Sequence, residues 1–269
     1  MDASQTHLLE RDRRPAVMDR IQVESLGRDI VGAVRRHVAE ASVCIPVICT
    51  LHFDTHLLFT YCHKLCDESF REPILLKVMV VDDGSATLIR AEIPYNQSEC
   101  LSLRRLLNKD DFLGVCFAWT ERMEDSKGFR VGHKRLTPIF YAFYQQNSGA
   151  GQKLDLVHSS PSRSSYEKTR LFWVPQDGTQ VTGIVCAPLD AYQNRASRLT
   201  YTFGIKEEGG SWRHAKKEIP FSPTLWVNLG ELFDMEFKTS STYLYSVRGP
   251  KGKGWLLLQT VDDFNLHHL

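Results

Sequence analysis

Two eight-residue runs rich in aliphatic side chains, Ile74 to Val81 and Ala86 to Ile93, flank the segment Asp82-Asp83-Gly84-Ser85. An Asp-Gly pair between two strand-like runs supplies the positive φ of a tight hairpin turn, so this stretch predicts two antiparallel strands. Similar short runs recur at Phe112 to Arg122, Leu136 to Tyr144, Leu171 to Val174, Val181 to Ala187, Leu199 to Ile205 and Trp212 to Ile219. Tyr243 to Arg248 and Trp255 to Val261, joined by Gly249-Pro250-Lys251-Gly252-Lys253-Gly254, predict a final hairpin. Val43 to Phe53 is nearly continuous apolar sequence, as in a strand covered on both faces, and Pro46 points to a sheet edge or a bend within it.

Helical spacing is sparser. Ile30, Val31, Val34 and Val38 fall on one stripe of a helix expected over Met18 to Ala41. Asp54 or Thr55 is placed to cap a second helix running to Glu68, with Leu58, Tyr61, Cys62 and Leu65 inward. Short helices are also expected from Ser98 and within Leu225 to Phe237. These patterns predict an α+β, β-rich fold: antiparallel sandwich- or barrel-like sheets with a few short helices. The expected division is a mobile N-terminal arm at 1–17, a β-rich part with amphipathic helices at 18–146, a serine- and glycine-rich linker or long surface loop at 147–168, and a β-rich C-terminal part at 169–269.

Composition narrows the function classes. The chain carries 33 Lys plus Arg against 32 Asp plus Glu, so no overall field draws it to nucleic acid or to an anionic membrane, and such contacts must be local. Seven cysteines, mostly in apolar segments, fit free thiols in a reducing compartment. No run approaches the roughly 20 apolar residues of a membrane span, and the charged start from Met1 to Val17 has no signal-peptide pattern. The expectation is a cytoplasmic or nuclear protein that is not secreted and has no transmembrane segment.

No nucleophile elbow, metalloprotease helix, Walker loop or dinucleotide fingerprint occurs, and no catalytic residue is assigned. The metal candidates are His52, His56, Cys62 and Cys66, since zinc accepts imidazole and thiolate; their spacing matches no standard finger, so no cofactor is predicted and zinc is kept as the alternative. The adjacent acids Asp82-Asp83, Asp110-Asp111, Glu207-Glu208 and Asp262-Asp263 suit solvated turns, and His267-His268 a frayed end. Two basic runs are the candidate anion or nucleic-acid sites. One is Arg213, Lys216 and Lys217 beside His214 and Trp212; the other is Arg248, Lys251 and Lys253 on the glycine-rich connection. Lys and Arg contact phosphates, and aromatic rings stack unpaired bases.

Three functions remain open. The first is a non-enzymatic interaction or assembly protein acting through protein partners or self-association. Two β-rich parts joined by a polar linker resemble, in architecture alone, the matrix-type structural proteins of some RNA viruses, with no residue motif behind the resemblance. The second is a binder of RNA or another anionic ligand or surface through the basic loops. The third is an enzyme without a local signature, or a zinc protein.

Overall fold

The computed structural model describes residues 21–27, 29–38, 43–50, 53–60, 72–82, 84–122, 139–146, 154–157, 173–175, 181–187, 197–222, 224–238, 241–250, 252–259 and 264–268. They form antiparallel sheets with short helices, the β-rich α+β class, and none of the described sheets closes into a barrel. The first sheet has the order β1 (Ile21–Ser25), β5 (Ala86–Ile93), β4 (Ile74–Val81), β7 (Phe112–Arg122) and β2 (Val43–Cys49). The second runs β6 (Ser98–Ser102), β3 (Phe53–Thr60), β8 (Ile139–Gln146) and β9 (Leu154–Val157). The third is β10 (Trp173–Pro175), β15 (Thr242–Arg248), β12 (Arg198–Glu207) and β13 (Arg213–Pro220). The fourth is β14 (Leu225–Asn228), β11 (Val181–Ala187), β16 (Lys253–Gln259) and β17 (Phe264–His268). Helices α1 (Ile30–Val38), α2 (Leu103–Leu107) and α3 (Leu229–Phe233) complete the described elements.

The expected β4–β5 hairpin is present with Val81 opposite Ala86. Its turn is held differently from the expected way: Gly84 has no positive φ, and the Asp82 carboxylate accepts the N–H groups of Gly84 and Ser85 instead. Pro46 lies on an edge strand, because β2 pairs with β7 alone among the described strands. The neighbouring residue of the same parity, Ile48, turns its N–H and C=O to the Thr55 hydroxyl, each at 2.8 Å. The side of the strand on which Pro46 lacks a donor therefore faces away from β7, and its carbonyl accepts the Tyr144 hydroxyl at 2.7 Å.

Four local expectations are corrected. In the segment expected to be helical from Met18, the first described residues are strand β1, and α1 starts only after Gly27, at φ 75°, and Asp29, whose Oδ1 accepts the Gly32 N–H at 2.9 Å. The second expected helix is strand β3 where it is described: burial falls on Phe53, Thr55, Leu57 and Phe59, a period of two to which the paired Asp54 is an addition, and all eight residues pair with β8. The segment from Ser98 is strand β6 before it becomes α2; the short helix expected within Leu225 to Phe237, by contrast, is present as α3, capped by Asn228 after strand β14. The final hairpin does not form: β15 pairs with β10 and β12, whereas β16 pairs with β11 and β17. Within 147–168, residues Leu154–Val157 form β9 on β8. The pair His267-His268 belongs to β17 rather than to a frayed end. The expected arm at 1–17 lies outside the described residues.

The fourth sheet explains the continuous apolar runs of β11 and β16. Ile184, Cys186 and Leu256 enter one core with Tyr201, Phe203, Tyr243 and Tyr245 of the third sheet. Val185, Ala187 and Trp255, of the opposite parity, enter the core built by the first two sheets and α1. A strand covered on both faces has no solvent side, so the alternation of polar residues disappears. Trp255 is fully buried where the N-terminal and C-terminal halves of the chain meet.

Candidate anion-binding face

Strand β12 carries strict alternation: Leu199, Tyr201, Phe203 and Ile205 are buried in the core, which turns Arg198, Thr200, Thr202, Gly204 and Lys206 outward. Its register with the two neighbouring strands assembles the outward face. Thr202 stands opposite Arg248 of β15 on one side and Lys216 of β13 on the other. Gly204 stands between Ser246 and His214 in the next row. Glycine leaves room in that row, since a Cβ there would displace the Ser246 hydroxyl and lie 3.0 Å from the His214 Nδ1.

The resulting surface is basic. Lys216, His214 and Arg248 are exposed, and Lys206 is half-buried. Among the described outward residues of β12, β13 and β15, the one acid is Glu218, which accepts a hydrogen bond from Arg198 Nε at 3.0 Å. Trp212 has the parity of His214 and Lys216 and stacks on the imidazole, with ring centroids 5.7 Å apart and planes 15° apart. It remains 36% exposed. Cations, hydroxyls and an aromatic pair thus share one sheet face, exposed along β13 and at Arg248, while Ser246 and Leu244 of the same side of β15 are buried.

The candidate residues from the two basic runs separate on this frame. Lys216 and Arg248, distant in sequence, come together. Arg213 and Lys217 have the opposite parity. The Arg213 guanidinium donates to the Phe233 carbonyl at 2.5 Å and lies over the Phe233 ring, so it holds α3 in place. Lys217 borders a groove of about 490 Å³ with Leu113, Ile219, Phe221, Leu225 and Trp226. Lys253 is corrected as a loop cation: it is 5% exposed within β16. Lys251 lies outside the described residues. Arg198, Thr202 and Lys206 were not singled out from sequence; their signal was the alternation along β12, which gives a face but no partner strands.

The metal candidates do not gather among the described residues. His52, Cys62 and Cys66 lie outside them, and no group of three or more His, Cys, Asp or Glu there is placed to hold an ion. His56 is on β3 with its Nε2 3.1 Å from Asp54 Oδ2. Asp54, 7% exposed, is the hub of a buried network. It accepts from Ser102 Oγ at 3.0 Å, Cys49 Sγ at 3.5 Å and the Arg104 N–H at 3.4 Å. Burial opposes its charge, but His56, Ser102 and Arg104 together outweigh burial and hold the carboxyl below its ordinary pKa.

A nucleophile relay would place the imidazole between carboxylate and hydroxyl. Here the carboxylate is in the middle, and Ser102 Oγ also accepts the Arg105 N–H as the cap of α2. Burial pushes the Cys49 thiol up to about 12, and burial with Asp54 and Glu99 raises Cys100, so neither thiol is ionised near neutrality. The arrangement fastens β3 to α2.

No helix among the described residues is long and apolar enough to cross a membrane. Comparison with protein-family models, curated proteins and solved structures finds no match to the chain.

Proposed function

We propose that this chain is a non-enzymatic interaction protein that holds an anionic partner against the outward face of the β15–β12–β13 sheet. The observation that supports this is the cross-strand row Arg248, Thr202, Lys216: two exposed cations flank a short hydroxyl side chain, with His214 in the adjoining outward row and Lys206 in the one beyond. Like charges set two strands apart on a solvated face repel weakly, about 0.4 kcal/mol at roughly 10 Å in water, and a bound anion reverses that sign. A near-neutral chain with one basic face attracts its partner locally and in a salt-dependent way. Binding to heparin, a sulfated polymer, tests the proposal. The pair Lys216→Ala and Arg248→Ala is expected to weaken binding at low salt and to flatten its salt dependence by about one unit of log–log slope per residue. Unchanged binding by the double variant argues against this face.

Self-association is a second reading, favoured by the groove at the β13–β14 junction, beside which Leu113 is 42% exposed. Light scattering is expected to show a mass above that of the 269-residue monomer as concentration rises. A monomer mass at every concentration removes this reading.

A further inference from the structure

The ring pair at the start of β13 says more about the partner than the cations do. Trp212 and His214 are stacked nearly parallel, and the partly exposed indole lies at the edge of the basic face, on the same side as Lys216. We infer that the anionic partner is a single-stranded nucleic acid, with one base on the Trp212–His214 stack and the backbone crossing Lys216 and Arg248; this rests on the anion-binding face proposed above.

The dimensions agree. Trp212 and Lys216 are four residues apart along one strand side, about 13 Å, and Arg248 lies two strand spacings from Lys216, about 10 Å. A strand of nucleic acid carries a base and several phosphates over such a span. Stacking uses the π-face that every base presents, and cations track the phosphates, so recognition is by single-strandedness and charge. The Thr202 side chain lies between the two cations, with Thr200 next on the same face opposite Glu218, and both can exchange hydrogen bonds with sugar hydroxyls or phosphates. A duplex keeps its bases inside and offers no ring to the indole. An anionic membrane satisfies Lys216 and Arg248 but needs a protruding apolar group. The indole instead lies flat against an imidazole, and its same-side neighbours on β13 are His214, Lys216 and Glu218.

The test uses the full chain and fluorescence anisotropy with a labelled 12-nucleotide single-stranded RNA, the matched duplex and heparin. Vesicles of phosphatidylserine in phosphatidylcholine are the fourth probe, read by co-sedimentation. The expected result is tighter binding of the single strand than of the duplex. Trp212→Ala then weakens single-strand binding about tenfold with an unchanged salt slope, and Trp212→Phe recovers most of it. Lys216→Ala and Arg248→Ala lower the slope instead, and circular dichroism confirms that each variant is folded. Heparin or vesicle binding without preferential binding of single-stranded RNA overturns the inference and leaves the anion-binding face standing. So does single-strand binding indifferent to Trp212→Ala. Failure of all four probes to bind at low salt overturns the face itself.

Discussion

Asp82 ends β4, and its environment converts an ordinary turn carboxylate into a structural fastening. Oδ1 accepts the N–H groups of Gly84 at 2.8 Å and Ser85 at 2.5 Å, and Oδ2 accepts from Lys109 Nζ at 2.9 Å. Partial burial disfavours the charge, yet Lys109 and the two N–H groups outweigh it and lower the pKa. A carboxyl lowered on folding stabilises the fold above the unfolded value, about 3.9, and that contribution fades as pH falls through the lower folded value. Asp82→Asn is therefore expected to cost about 1–2 kcal/mol at neutral pH in urea unfolding, with the gap from the parent narrowing below about pH 4. An equal gap at pH 7 and pH 3 would show that charge is not what holds the turn. The sequence placed Asp82 in a turn; the contribution of Lys109, which follows α2, depends on packing.

At the scale of elements, legibility depended on whether the pattern and the pairing partner were both local. Strands β4, β5 and β7 were expected over the residues they occupy, because a long apolar run bounded by turns has few alternative folds. The region of β3 was misread because Leu58, Tyr61, Cys62 and Leu65 satisfy helical spacing while Phe53, Thr55, Leu57 and Phe59 satisfy a period of two. Pairing with β8 and the Thr55–Ile48 bonds select the strand. The segment before α1 was misread for a related reason: β1 contributes only five residues, too few to outweigh the helix that follows. In β12 and β13 the alternation was visible, but the row Arg248, Thr202, Lys216 exists only because β15 joins the other edge of β12. Gly249 marks where the chain leaves that sheet, since a Cβ there would collide with the Tyr201 ring.

The whole molecule is tied together by the fourth sheet. One face of β11 and β16 completes the N-terminal core and the other completes the C-terminal core, with Trp255 and Leu256 adjacent in sequence and on opposite sides. Burying a large side chain from water contributes about 1.5–3 kcal/mol, and removing one from a packed core adds the cost of the cavity. Trp255→Ala is accordingly expected to destabilise the protein by about 3–5 kcal/mol. Because the cores share a sheet, calorimetry and circular dichroism should report one transition at a lower midpoint. Two separate transitions, one of them unshifted, would show that the halves unfold independently.

Sequence sufficed to establish that the chain is β-rich, that a hairpin spans Asp82 to Ser85, that Pro46 sits at an edge or a bend, and that Lys216 and Arg248 were among the candidate anion contacts. These follow from local periodicity and the stereochemistry of single residues. Packing of the sheets sets the rest: Lys253 is buried while Arg248 is exposed, β15 and β16 part into different sheets, and Arg248 and Lys216 flank Thr202. Periodicity tells each strand which residues to bury, but the partner and register of strands far apart in the chain are set by how the cores pack. The outward face that forms is a consequence of that packing.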